Sequence, residues 1–256
     1  MSDLLLSLED LAVRTPERML VDGVSYEVRQ GKVTAVVGSS GSGKSLSARA
    51  AMGVLDVLPG LVRGSLRFPK LSERDWFEGV RGAGLAAQRG LQRETAKLRG
   101  GYVTYAPQSA ASALNPSRTI GRQLELAIQR RANAPADVGA AVKDVLSEVG
   151  LPSRAAYALP RELSGGMSQR AALAIAIAPQ PKILIADEPE TGLDPVLRRV
   201  VTELMLAVAR EHGVGLVLIS HNMDTVGRVA DIIVSIGPPP KGTPAGAPMR
   251  FKASAP

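Results

Sequence analysis

Lys32-Val33-Thr34-Ala35-Val36-Val37-Gly38-Ser39-Ser40-Gly41-Ser42-Gly43-Lys44-Ser45 begins as a short β-branched run and passes directly into a glycine and serine loop. The run has the form of a buried strand, and a helical segment follows from Ser45 to about Leu55. Strand, loop and helix in this order are the context in which a G-x-x-x-x-G-K-[ST] match means phosphate binding. Glycines let backbone N–H groups curl around phosphate oxygens, and the helix behind the loop turns its positive end toward them. On this reading Gly38, Ser39, Ser40, Gly41, Ser42 and Gly43 cradle phosphate. Lys44 bridges the β- and γ-phosphates, and the Ser45 hydroxyl takes a Mg2+ position. A bare Gly/Ser turn would share the composition but not the flanking elements.

A second stretch, Ile183-Leu184-Ile185-Ala186-Asp187-Glu188, is an apolar strand ending in two acids. A carboxylate there is costly unless it meets a cation or solvent, and the carboxyl ends of parallel strands are where α/β folds bind ligands. Two acids after a strand can also be a solvated loop. Beside a phosphate loop, Asp187 reads as the group that holds Mg2+, through water or directly, and Glu188 as the general base for an attacking water.

The third stretch is Leu163-Ser164-Gly165-Gly166-Met167-Ser168-Gln169-Arg170. Ser164 is a common helix N-cap, but a cap does not need two glycines, each of which lowers helix propensity by roughly 1 kcal/mol. A helix start without side-chain bulk is a second place suited to an anion.

LSGGMSQR together with the phosphate loop resembles the ATP-binding cassette ATPases, and the resemblance runs from Leu4 to Ile236. It implies ATP and Mg2+ as ligands, with the helix from Ser164 capping the γ-phosphate of ATP held on a partner chain. Ser164, Gly165, Gly166 and Gln169 are then ATP contacts, and one chain supplies half of each of two sites. Gln108 is similar to the family's Q-loop glutamine, which senses Mg2+ and the attacking water and starts the segment that touches the transmembrane partner. Thr191-Gly192-Leu193-Asp194 resembles the D-loop, with Asp194 near the nucleotide. His221, after the strand Val217–Ser220, resembles the switch histidine that contacts the γ-phosphate, whereas His212 in Arg210-Glu211-His212-Gly213 reads as a surface helix end. Met167, Leu114-Asn115-Pro116-Ser117-Arg118-Thr119-Ile120-Gly121 and Lys97-Leu98-Arg99-Gly100 are similar to the oligopeptide, dipeptide and nickel importer group. There are departures. Arg14-Thr15-Pro16 stands where the family often has an adenine-stacking aromatic, Glu190 where Thr or Ser is usual, and Asn222 where Asp is common.

The remaining pattern points to an α/β fold: a P-loop NTPase core with a largely parallel sheet, an antiparallel β portion and an inserted α-helical subdomain. Leu4–Val13 and Val21–Val28 read as two early strands, and Gly101–Ala106 as a later one ending at Pro107-Gln108. Residues 120–150 carry helical periodicity with a break at Asn133–Ala136. A helix from Ser164 to about Ala178 precedes alternating strands and helices up to Ile236. The expected division is 1–108 with 166–236 as the nucleotide-binding core, 109–165 as the helical subdomain, and 237–256 as a flexible Pro-rich tail.

Hydrophobic residues make up 45% of the 256 and aromatics only 3%, so the core is built from Ala, Val, Leu and Ile. With no cysteine there is no disulfide and no thiolate metal site. The net charge of +7 fits a nucleic-acid partner, an anionic membrane or a solvated surface. The arginines are scattered and no aromatic-rich basic stretch suggests base stacking, so no nucleic-acid partner is expected. The acidic start, Met1 to Asp10, does not read as a signal peptide, and no apolar run approaches the roughly 20 residues of a spanning helix. The expected function is the ATP-hydrolysing subunit of an importer for peptide, nickel or metal chelate, peripheral on the cytoplasmic face of the cell membrane. Its expected partners are transmembrane permease subunits, a second ATPase chain of the same or a different kind, and, indirectly, an extracytoplasmic substrate-binding protein. The alternatives are a soluble cassette ATPase acting on nucleic acid or ribosomes, and an exporter ATPase.

Overall fold

The computed structural model describes residues 3–237 and 249–251. In chain order the elements are strands β1 (Leu4–Arg14), β2 (Met19–Arg29) and β3 (Val33–Gly38), helix α1 (Lys44–Ala51), strand β4 (Gly60–Arg67), helix α2 (Gly84–Thr95) and strand β5 (Val103–Ala106). Helices α3 (Ala110–Ala113), α4 (Ile120–Ile128), α5 (Val138–Glu148) and α6 (Gly165–Ile177) follow, then strand β6 (Ile183–Asp187) and helix α7 (Pro195–Glu211). Strand β7 (Gly215–Ile219), helix α8 (Met223–Val229) and strands β8 (Ile232–Ile236) and β9 (Met249–Phe251) complete the chain. Contacts gather these into two units, Met1–Arg99 with Gly215–Pro256, and Gly100–Val214.

In the first unit β1 pairs antiparallel with β2 on one side and β4 on the other. Strand β3 lies between β7 and β8, parallel to both, in register Val33↔Leu216 and Thr34↔Ile232. Every residue of β3 is buried, which is why it reads as a continuous apolar run rather than an alternating one. Helix α8 covers this strand group, packing Met223 and Val226 against Ala35, Val37 and Ile233. The 237–256 segment, expected as a flexible tail, lies outside the described residues except for Gly237 and β9. Strand β9 pairs parallel with β8, Ile233↔Met249 to Ser235↔Phe251. Only three residues long, it leaves no pattern that a period-2 reading can detect.

Strand β4 also escapes the sequence reading. Gly60, Arg63, Gly64 and Ser65 interrupt its apolar residues, and only pairing with β1 makes it a strand. The segment after it is held by one carboxylate. Asp75 accepts at Oδ1 from the Leu66 and Phe77 amides, both at 3.0 Å, and at Oδ2 from Arg81 at 2.6 Å.

The second unit contains the parallel pair β5 and β6, in register Val103↔Ile183 to Ala106↔Ala186. Helix α6 packs against α3, α4, α5, β5 and α7. Its Ala171, Ala172, Leu173, Ala174, Ala176 and Ile177 are all buried, as expected for a helix apolar on all sides. Helix α4 turns Ile120, Leu124 and Ile128 inward at helical spacing. Thr119 and Asp137 cap α4 and α5 through the Arg122 and Ala140 amides. Helix α6 packs on the helices of the expected 109–165 insert, and 100–214 forms one unit.

Burial works against the charged Asp75 carboxyl, yet the Arg81 and backbone hydrogen bonds hold its pKa below the usual carboxylate range. Its stabilisation is therefore complete above the unfolded value of about 3.9 and is lost as pH falls through the lower folded value. Asp75→Asn should cost about 1–3 kcal/mol at neutral pH, with the gap to the parent chain closing in acid. Denaturant unfolding across that pH range is the measurement, and a pH-independent gap would contradict the assignment.

Candidate functional site

The first unit carries the loop between β3 and α1. Gly43 precedes α1 with φ +94°, and a Cβ there would sit 2.4 Å from Val21 Cγ2 and 2.9 Å from the Leu20 carbonyl oxygen. Only glycine satisfies both the backbone angle and the close approach of β2. The start of α1 has no side-chain cap and no acid in its first turn, so its amide end is open to an anion. Ser42 Oγ is buried without a hydrogen-bond partner among the described residues, while the Ser39, Ser40, Gly41 and Ser45 positions are exposed. Lys44 is buried, and its Nζ donates to the Gly38 and Ser39 carbonyls at 3.0 and 2.9 Å. An ammonium has three donors. Two fix its position, and one is left for a ligand oxygen.

Strands β3 and β7 end side by side, with Val36 opposite Ile219. His221 therefore follows at the same edge as the loop, on the exposed surface. Asn222 caps α8, accepting from the Asp224 and Thr225 amides at 3.1 and 3.2 Å. Asn and Asp cap about equally well, so this departure from the family pattern leaves the local structure intact.

In the second unit the register of β5 and β6 brings another set together. Ala106 lies opposite Ala186, and Gln108 and Glu188, each just beyond its strand, meet. Gln108 Nε2 donates to Glu188 Oε2 at 3.0 Å, and Thr191 Oγ1 donates to the same oxygen at 3.2 Å. Glu188 has φ +46°, a region that costs a residue with a side chain about 1–3 kcal/mol and is retained where the surroundings enforce it. Here the Thr191 amide bonds the Glu188 carbonyl at 3.1 Å and closes the turn. Asp187 is buried and accepts at Oδ2 from the Tyr105 hydroxyl at 2.7 Å.

Tyr105 and Thr191 were not singled out as supports for the acids. The Tyr105 signal exists only once register is known, because Tyr105 pairs with Ile185, and Asp187 shares that residue's face.

The LSGGMSQR segment divides between surface and interior. Ser164 caps α6 by accepting from the Met167 amide at 3.4 Å. A Cβ on Gly166 would meet Leu197 Cδ1 of α7 at 2.7 Å, whereas a Cβ on Gly165 would meet nothing within 4 Å. Gln169, expected among the ATP contacts, is instead buried, and its Nε2 donates to the Pro189 carbonyl at 2.8 Å. A side chain committed to a buried carbonyl braces the Asp187–Thr191 turn from within. Arg170 ties α6 to the end of α5 through the Gly150 carbonyl at 2.6 Å. Asp194 caps α7, accepting from Val196 and Leu197 at 2.9 and 3.0 Å. No described helix is long and apolar enough to cross a membrane.

Comparison with known proteins bears on this arrangement. A family model described as "ABC transporter" matches residues 21–191. A dipeptide transport ATP-binding protein of Escherichia coli is 39% identical over 218 residues, 84% of this chain and 62% of that protein. A nickel import ATP-binding protein of Rhodospirillum rubrum is 37% identical over 215 residues, 83% of this chain and 75% of that protein. This chain thus spans about three-fifths of the length of the Escherichia coli relative. A dimeric ATP-binding cassette in a post-hydrolysis state, bound to ADP and Pi, superposes with a TM-score of 0.70 at 23% identity, covering 90% of this chain and 94% of that one.

The Gln169 brace is directly testable. Gln169→Leu keeps the volume but leaves the Pro189 carbonyl unpaired, and should lower unfolding free energy by about 1–3 kcal/mol in denaturant titration. Unchanged stability would show that the turn does not rest on this bond.

Proposed function

This chain belongs to the ABC transporter family, and from that premise we propose that it binds and hydrolyses ATP to drive uptake through a separate permease. The observation that carries the proposal is the 3.0 Å bond between Gln108 and Glu188, residues 80 positions apart. It joins the two groups that the family resemblance assigns to the attacking water.

Each side chain has a role. The open start of α1, the unpaired Ser42 Oγ and the remaining Lys44 donor receive the phosphates of ATP, and Gly38–Ser45 wraps them. The family resemblance assigns Mg2+ to Ser45 of the first unit and to Asp187 and Gln108 of the second, each of which would offer it an oxygen. Within the second unit the groups fit a hard cation, since they are oxygen ligands and Asp187 keeps Oδ1 without a hydrogen bond among the described residues. When bound, Mg2+ would supply neutralisation of the phosphate charge. Glu188 takes the proton of the attacking water as general base, with Gln108 and Thr191 fixing its Oε2. His221 contacts the γ-phosphate. Ser164, Gly165 and Gly166 present the start of α6 to ATP held on a second chain, and Asp194 orders the neighbouring start of α7.

The second chain is another ATPase subunit, identical or related, and the resemblance to a dimeric cassette supports this. The permease lies in the membrane, with this chain peripheral on its cytoplasmic face and an extracytoplasmic binding protein delivering cargo. The names of the relatives, dipeptide transport and nickel import, support peptide, nickel or a metal chelate as that cargo.

Glu188→Gln keeps an oxygen that can accept from Gln108 but removes the base. ATP hydrolysis should fall by about 100-fold or more while ATP binding persists, measured by phosphate release and by nucleotide titration. Hydrolysis at the parent rate would remove Glu188 from the mechanism. Gly165→Ala separates folding from function. Nothing among the described residues meets the added Cβ, so unfolding stability should shift by no more than about 1 kcal/mol while hydrolysis drops. Normal turnover would rule out a nucleotide packed on this glycine.

A further inference from the structure

Helices α5, α6 and α7 end around a cavity of about 180 Å3 within the second unit. Its apolar lining comes from Val145, Ile177, Val208 and Val214, all buried. Its polar lining includes Arg131, Lys182, Glu148 and His212. Within the second unit these residues stand apart from the candidate nucleotide groups. Ile177 ends the helix that begins at Gly165, and Lys182 immediately precedes the strand that ends at Asp187.

The charges are not mutually spent. His212 Nε2 lies 3.1 Å from Glu148 Oε1, but a carboxylate accepts about four hydrogen bonds. Arg131 donates through Nε to the Ala178 carbonyl at 2.7 Å, which leaves its terminal nitrogens. Neither Arg131 nor Lys182 has a carboxylate within ion-pair distance among the described residues. Burial pulls the Arg131 guanidinium below its ordinary pKa, with Glu148 and Asp144 acting in the opposite sense.

We propose that this cavity is a binding site for a small apolar α-amino acid. Its carboxylate would meet Arg131 and Lys182, its ammonium would meet Glu148, and its side chain would fill the space between Val145, Ile177, Val208 and Val214. Size argues for this class. An apolar cavity of about 150 Å3 holds a benzene molecule, and the present one is too small for the 300–1,000 Å3 typical of larger ligands. The charge pattern argues for it as well. Two cations outside ion-pair distance of any carboxylate among the described residues, beside the Glu148 carboxylate, match a zwitterion better than a simple acid or amine.

The test is calorimetric titration of the full chain, without nucleotide, with L-valine and its two single-charge analogues, 3-methylbutanoate and 2-methylpropylamine. L-valine should saturate one site, and each analogue should bind at least about tenfold more weakly, because each leaves a charged group of the site unmet. Lys182→Met should weaken L-valine about tenfold, and Val208→Phe, which occupies the cavity, should abolish binding. Phe at 208 carries a risk of overpacking, so Lys182→Met, altered at an exposed side chain, stands as the independent variant. The proposal is overturned if the parent chain shows no saturable L-valine binding. It is also overturned if an analogue binds as tightly as L-valine, or if Lys182→Met leaves the affinity unchanged. Because no nucleotide is present, the outcome is independent of whether the chain hydrolyses ATP.

Discussion

The second unit is organised around the cost of ending a fully buried strand in carboxylates. Residues Ile183 to Asp187 are all buried, and a charged group there is stable only with polar partners. Tyr105 supplies one to Asp187, while Gln108 and Thr191 supply theirs to Glu188. Gln169 fixes the turn that follows by holding Pro189. These partners come from a neighbouring strand, the segment beyond it, the turn itself and helix α6. The positive φ of Glu188 is the local cost of turning its carboxylate back toward Gln108.

The first unit meets the opposite problem, an anion site with the anion's partners already in place. A helix start without a cap, a buried serine oxygen without a partner and a lysine held on its own loop carbonyls are each unfavourable in isolation. They are tolerable together because β3 is locked between β7 and β8 and because Gly43 lets β2 press against the loop. The scaffold maintains donors that fold stability alone would not require.

Much of this was legible from the chain. Continuous apolar runs announced the buried parallel strands, and helical spacing announced α4 and α5, since burial on both faces or one stripe leaves a periodic trace. The loop at Gly38–Ser45 was legible because its residue types are constrained by backbone geometry. Strand β4 was not, because its pairing with β1 outweighs its poor local propensity. The Tyr105 bond to Asp187 was hidden because it depends on strand register. The inward turn of Gln169 was hidden for another reason. A motif gives the order of residues along a helix but not which of them face a neighbour, and here α7 and the Pro189 turn decide that.

The two adjacent glycines of the Ser164 segment show how far the chain explains itself. Gly166 has an internal reason, since a side chain there would press on Leu197 of α7. That contact is with the end of a flexible side chain, so the restriction is moderate. Gly165 has no internal reason. Its backbone angle is ordinary for a helix, and the space around it is open. In a helix start, alanine would be the more favourable residue by up to about 1 kcal/mol. A residue that lowers stability without relieving any contact among the described residues points to a contact outside them. The same surface carries the Ser164 cap and the free amide end of α6, both suited to an anion. In the proposed function that anion is the terminal phosphate of ATP on the second chain. The physical sense of Gly165 then lies in an assembled pair, where the missing side chain lets a helix start approach a phosphate as closely as its backbone allows.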